Sequence, residues 1–224
     1  METYVLRLWL PDRPGALGAV ASRIGSVKGD VIGIEILETG DAQAVDELVV
    51  RLPDSTLVDL LVTEVRQVDE VHVEQIRQVD ASYHDPRRTG LESAVLIVEA
   101  DDREALVESV VRETPRLLAS SWVALVDLEA RTALGRSESA PSDPWLTAFV
   151  HGASSAVSLG GSDAGASDVV SAVLPDSDLA LVVGRERIAW RDRERRHLDA
   201  LARMVAVRWN ELPARSQQEP LSAV

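Results

Sequence analysis

The 224-residue sequence predicts an α+β protein built from two domains. Hydrophobic residues alternate with a period of two in several short segments, which is typical of strands buried on one side. In the segments between them, hydrophobic residues recur every three or four positions, which is typical of amphipathic helices. A polar stretch broken by proline and glycine, residues 81–90, separates two halves that differ in their order of helices and strands. We therefore expect it to be an interdomain linker.

Residues 1–80 carry six predicted elements in the order β-α-β-β-α-β. The predicted strands are Tyr4–Leu10, Val31–Leu37, Ala44–Leu52 and Val71–Val79, and the apolar stripes of the two helices cover Leu17–Val27 and Leu57–Val65. Asp54 or Ser55 can cap the second helix. Right-handed β-α-β connections fold this order into a four-stranded antiparallel sheet with both helices on one face.

Residues 91–212 predict a second domain with an antiparallel sheet. Helices are predicted at Arg103–Leu118, Pro144–Val150 and Arg191–Leu212, and strands at Trp122–Leu128, Val169–Leu174 and Leu179–Gly184. Leu91–Glu99 favours a helix, although its run of branched residues would also suit a buried strand. Asp101 or Asp102 can cap the helix that follows. The low-complexity residues 152–168 predict a loop, and residues 213–224 predict a flexible tail.

Composition excludes several classes of function. The formal net charge of −14 disfavours nucleic-acid binding, because an acidic chain repels phosphate backbones. The chain has no cysteine, which removes disulfides, thiolate zinc sites and a cysteine nucleophile. No apolar run approaches the roughly 18 residues that a membrane helix needs, and the first residues do not have the pattern of a signal peptide. The sequence therefore predicts a soluble, cytoplasmic protein without a membrane partner.

No catalytic, metal-binding or cofactor-binding pattern is found. The four histidines do not have the spacing of a metal site. We therefore expect no catalytic residue, no metal and no cofactor. An enzyme that uses His151 and Asp168 remains a competing hypothesis. The arginine-rich segment Arg185–Arg196 could bind an anion or a partner, but the solvated start of a helix is the favoured interpretation.

The segment Leu10–Leu17, LPDRPGAL, followed by the Gly29–Ile32 sequence GDVI, resembles the ACT domain family over residues 1–80. The resemblance implies a ferredoxin-like fold and an amino acid bound beside the turn, often where two such domains pair. The family positions that contact the amino acid match Asp12 and Asp30. The complete set of candidate ligand-binding residues is Asp12, Arg13, Pro14, Gly15, Ala16, Leu17, Asp30 and Ile32.

Physical chemistry gives this turn a reason to bind a carboxylate. Pro14 fixes φ at the expected helix start, and Gly15 lets a ligand or a second chain approach the backbone. The amides of Gly15, Ala16 and Leu17 would point outward at the positive end of the helix dipole. Asp12 could accept an amino group, although acidic side chains also oppose a carboxylate. The alternative interpretation is a turn that only caps the helix.

The second half resembles a GAF domain more faintly, through its leading helix, its helix-to-strand segment and its hairpin before a long closing helix. That resemblance implies a pocket on one sheet face, under residues 130–168. Together the two resemblances predict a non-catalytic regulatory protein that senses a small molecule, most simply an amino acid, through the arrangement of its domains in a homodimer. The alternative is a regulatory subunit or dimerisation module for a partner enzyme, with no ligand of its own.

Overall fold

A computed structural model describes residues 1–40, 42–80, 86–158 and 168–213 of the chain. The chain divides into two compact units. The first comprises residues 1–86 with residues 191–193, and the second comprises residues 87–190 and the chain from residue 194 onward. The protein is therefore of the α+β class, with one four-stranded antiparallel sheet in each unit.

The first unit has the predicted βαββαβ order. Its elements are β1 (Glu2–Pro11), α1 (Ala16–Ser26), β2 (Asp30–Thr39), β3 (Gln43–Leu52), a 3₁₀ turn (Ser55–Leu57), α2 (Val58–Val65) and β4 (His72–Val79). The strands lie in the order β2-β3-β1-β4, and every neighbouring pair is antiparallel. Asp54 caps the 3₁₀ turn by accepting a hydrogen bond from the Thr56 amide at 2.8 Å.

Both helices of the first unit pack on one face of the sheet, as predicted. Leu6 and Leu8 of β1 are fully buried on this face, in one core with Ile24 of α1 and Leu61 of α2. The alternation along β1 dictates this arrangement, because every second residue of the strand points toward the helices.

The described residues of the second unit form four helices and four strands. Its elements are α3 (Pro86–Val98), α4 (Arg103–Leu118), β5 (Trp122–Asp127), β6 (Thr132–Arg136), α5 (Asp143–Ser158), β7 (Val169–Val173), β8 (Leu179–Gly184) and α6 (Asp192–Glu211). The strand order is β6-β5-β8-β7, and all pairs are antiparallel. Of the helices in the described ranges, none is long and apolar enough to cross a membrane.

Apolar cores cover both faces of the second sheet. On one face, Leu125 and Leu181 pack with Leu106 of α4 and Leu198 of α6. On the other face, α5 packs its buried side chains, Leu146 among them, against alternate residues of β5 and β8. This second face lies under part of the segment where the GAF resemblance predicts a pocket, and its described residues form a packed core there.

Three sequence predictions for the second half need correction. Residues 86–90 are not linker, because α3 begins at Pro86, whose missing N–H costs nothing at a first helical position. Strand β6 was not predicted, because its sequence TALGR has no polar–apolar alternation and only one β-branched residue. Residues 152–158 continue α5 instead of forming a loop. The rest of the predicted linker, loop and tail, residues 81–85, 159–167 and 214–224, lies outside the described residues.

Candidate functional site

The candidate site is the turn between β1 and α1, and Gly15 gives it its shape. Gly15 is the N-cap of α1 with φ 90° and ψ −15°, a left-handed conformation that costs roughly 1–2 kcal/mol for residues with a Cβ. Asp12, Arg13, Pro14 and Gly15 are all exposed. A Cβ built on Gly15 would meet no atom within 4 Å. The turn therefore presents open space in front of the helix start.

Three backbone amides near this helix start are available as hydrogen-bond donors. Among the described residues, no acceptor is found for the amides of Gly15, Leu17 and Gly18. The Ala16 amide, which the sequence analysis also expected to be open, donates to the Arg13 carbonyl at 3.3 Å. Gly18, which the sequence analysis did not propose, takes its place. Unpaired amides and the positive end of the helix dipole together favour a carboxylate.

Pro14 has a different role from the predicted one. Helix α1 begins at Ala16 with Gly15 as its cap, so Pro14 lies before the cap and not at the first helical position. The turn itself is held by main-chain bonds, from the Arg13 amide to the Pro11 carbonyl at 2.8 Å and from the Asp12 amide to the Ala42 carbonyl at 3.1 Å. Pro14 therefore restricts the turn that leads into Gly15.

Asp46 is a candidate site residue that the sequence analysis missed. It lies on β3 opposite Leu8, so its side chain is on the helix-covered face, and the residue is only 4% exposed. Its Oδ1 atom is buried and has no hydrogen-bond partner among the described residues. Burial raises the pKa of this carboxyl, and the charge of Asp12 raises the pKa further. The sequence pattern could have indicated this burial, because Asp46 lies two residues before the apolar Leu48 and is therefore on the same face of the strand.

A single chain does not bring all the predicted residues together. Strand β3 pairs Gln43 with Pro11 at one end and Arg51 with Asp30 at the other. The eight residue steps from Gln43 to Arg51 place these two ends about 27 Å apart in an extended strand. Asp30, and Ile32 beside it, are therefore at the opposite end of the sheet from the turn of the same chain.

The arginine-rich segment that could have bound an anion is anchored by a buried ion pair. Arg185 donates from Nη1 and Nη2 to the two carboxylate oxygens of Glu194, each at 2.6 Å. It also donates to the carbonyls of Ile188 and Ala189, and its guanidinium lies 4.0 Å above the Trp190 ring. Arg185 is therefore a structural residue of the second unit.

Asp168, which the competing enzyme hypothesis names, has a structural role through its main chain. Its carbonyl accepts hydrogen bonds from the Arg185 amide and from Trp190 Nε1, both at 3.0 Å. Those bonds join the start of β7 to the end of β8, which is a structural role. Within the described ranges, no group of three or more histidine or carboxylate side chains could hold a metal ion.

Comparisons with solved structures find weakly similar chains. No protein-family model and no curated protein matches the chain. The ACT domain of a GTP pyrophosphokinase from Chlorobium tepidum is similar at 14% identity, over 35% of this chain and 97% of that domain, with a TM-score of 0.29. An unknown protein from Galdieria sulphuraria is similar at 11% identity over 91% of both chains, with a TM-score of 0.33. These likenesses identify neither a ligand nor a reaction.

Proposed function

We propose that the protein is a non-catalytic regulator whose first unit binds an amino acid at the turn before α1. The proposal rests on a pair of groups at the same end of the sheet. The amides of Gly15, Leu17 and Gly18 have no acceptor among the described residues, and Asp46 Oδ1 is buried with no hydrogen-bond donor among them. A free amino acid has both complementary groups. Its carboxylate would accept from the amides, and its ammonium group would donate to Asp46.

Charge decides which amino acids the turn would accept. Asp12 and Asp46 are both acidic, so a side chain with a second carboxylate would be repelled. The ligand's ammonium group offsets this repulsion for a neutral amino acid, and it would also lower the raised pKa of Asp46 on binding. A neutral or basic amino acid is therefore the proposed ligand class.

The proposed homodimer would complete the site. Strand β2 is at one edge of the first sheet, and Ile34 and Ile36 on it are 53% and 48% exposed. Two β2 strands paired antiparallel across a two-fold axis would bury these side chains and satisfy both edges. The start of the second chain's β2 would then lie beside the first chain's turn. In this arrangement Asp30 and Ile32 reach the ligand from the other subunit.

The regulatory mechanism proposed is linkage. A ligand held between two chains binds the dimer better than the monomer, so it shifts the assembly by that difference in affinity. The second unit would receive or transmit the change, and its GAF-like character stays a prediction from the sequence. A second candidate function is an assembly module or regulatory subunit for a partner enzyme, which the exposed isoleucines of β2 would serve without any ligand.

The ligand proposal is tested by thermal unfolding with each of the twenty amino acids at millimolar concentration. We expect at least one neutral or basic amino acid to raise the Tm, because a ligand that binds the folded state stabilises it. Asp46→Asn should abolish that shift, since the amide keeps the shape and removes the charge that attracts ammonium. Asp59→Asn, on the exposed surface of α2, is the matched control and should respond as the unaltered protein does.

The dimer proposal is tested separately by sedimentation velocity. Ile36→Glu should convert the dimer into a monomer and should weaken the amino-acid response. Leu60→Glu introduces the same charge at a similarly exposed position, 46%, on α2, and should leave the dimer intact. A stable dimer with no response to any amino acid would favour the assembly module. A monomer without any response would exclude the amino-acid regulator and the homodimeric assembly module.

A further inference from the structure

The second unit contains a groove of about 800 Å³ between α4, β6 and the end of α6. Its floor is apolar, with Val107 and Val111 of α4 opposite Leu134 of β6. The neighbouring Gly135 lets α4 approach the sheet, because a Cβ there would lie 2.3 Å from the Val107 side chain. Sites for small molecules typically have volumes of about 300–1,000 Å³, so the groove has the size of a ligand site.

One end of the groove carries a cation with an unsatisfied donor. The guanidinium carbon of Arg103 lies 4.4 Å above the ring of Trp209, which is half-buried in the lining. Arg103 Nε is buried and has no hydrogen-bond partner, and none of the carboxylates in the described part of the chain forms an ion pair with this side chain. An unsatisfied buried donor on a charged group is costly, so an added acceptor would stabilise this end of the groove.

The other cations of the lining are already paired. Arg112 Nε is 3.0 Å from Glu113 Oε1, and Arg136 Nη1 is 2.8 Å from Asp143 Oδ1. Arg103 is therefore the arginine of the lining that can receive a carboxylate without losing a carboxylate of the chain.

Acidic side chains on the rim limit the charge of the occupant. Asp102, Glu104 and Glu108 line the groove on its solvent side, and all three are exposed. They would repel phosphates and dicarboxylates, whose second negative charge would find no cation of its own. A molecule with one carboxylate can place it at Arg103 and keep the rest of its surface uncharged.

We infer that this groove is a binding site for a small monocarboxylate with an aromatic or branched apolar body. The carboxylate pairs with Arg103, and the body lies against Trp209, Val111 and Leu134. This site is within the second unit and uses no residue of the turn before α1. A negative result for the amino-acid site would therefore not affect the proposal for this groove, and the reverse also holds.

The test is calorimetric titration of the full chain with 3-phenylpropionate as the probe. We expect one molecule bound per chain in the groove, and Arg103→Met to weaken binding tenfold or more, which corresponds to the loss of a hydrogen bond to a charged group. Arg116→Met makes the same change on α4 at a position outside the lining, and should leave the affinity unchanged. Phenyl phosphate, which carries a second negative charge, should bind at least tenfold more weakly than the probe.

A second variant keeps the result interpretable if Arg103→Met lowers stability. Leu134 is 38% exposed, so Leu134→Trp can fill the groove without disturbing the core, and it should abolish binding of the probe. Asp59→Asn, on the exposed surface of α2 in the first unit, should leave probe binding unchanged. Absence of binding to the unaltered chain at millimolar probe would overturn the inference, as would equal affinities for the Arg103→Met and Arg116→Met variants.

Discussion

The buried ion pair of Arg185 and Glu194 offers a sharp test of how the second unit is stabilised. Their side chains are 5% and 11% exposed, and two bonds of 2.6 Å join them. Arg185→Met would keep the apolar stem over Trp190 and remove the guanidinium. Glu194 would then lose the cation that donates to both of its carboxylate oxygens.

We expect Arg185→Met to lower the free energy of unfolding by about 3–5 kcal/mol, the usual cost of breaking a buried pair on one side. The double variant Arg185→Met/Glu194→Leu should recover more than half of that loss, because it leaves no uncompensated charge. Urea unfolding followed by tryptophan fluorescence measures both. Four of the five tryptophans are in the second unit, so the signal reports mainly on that unit.

The matched control is Arg88→Met, which removes the same group from an exposed pair on α3. Arg88 and Glu92 are 52% and 53% exposed, so we expect a loss of about 0.5 kcal/mol or less. A loss below about 1 kcal/mol for Arg185→Met, or a double variant less stable than the single one, would refute the reasoning that removing the arginine charge beside the buried Glu194 carboxylate dominates the cost.

Three further predictions concern single positions. Gly135→Ala should cost about 1–3 kcal/mol in urea unfolding, because its Cβ would lie 2.3 Å from a valine of α4, whereas Gly25→Ala in the open face of α1 should stabilise by about 0.5–1 kcal/mol. The raised pKa of Asp46 means that its charge opposes folding above the ordinary pKa of 3.8 and not below it. Asp46→Asn should therefore stabilise the protein at pH 7, and its advantage should shrink as the pH of the melt falls toward 3.8. Asp102→Ala should cost about 0.5–2 kcal/mol, because Asp102 accepts from the Ala105 amide at 2.8 Å, and Asp101→Ala should be nearly neutral in the same assay.

Periodicity predicted the first unit well, because the even-numbered residues from Tyr4 to Leu10 of β1 are apolar and pack in one core with the helices. The alternation of apolar residues in β1 was sufficient to predict a strand, and the apolar stripe on α1 was sufficient to predict a helix. The second unit was harder, since β6 is short and has only one β-branched residue, and the Ala- and Ser-rich end of α5 has the composition of a loop. Pro86 was interpreted as a breaker, although proline is also favoured at the first position of a helix.

The candidate site was predictable in its position and not in its chemistry. The sequence pattern located the turn and its glycine. It could not show which amides lack an acceptor, because that depends on the hydrogen bond from the Ala16 amide to the Arg13 carbonyl. Asp46 was missed for another reason: a carboxylate on a strand is ordinarily expected to face water. Its phase with Leu8 and Leu48 shows that burial of a polar residue can be inferred from neighbours two positions away.

The separation of Asp30 from the turn has a consequence for how ligand affinity would be measured. If the ligand must contact the turn before α1 in one chain and the start of β2 in the other, a monomer does not contain a complete binding site. The apparent affinity for the ligand would then depend on the protein concentration. It would weaken when the protein is diluted below the dissociation constant of the dimer. Each pair of copies would carry two equivalent places, so occupancy and pairing would rise and fall together.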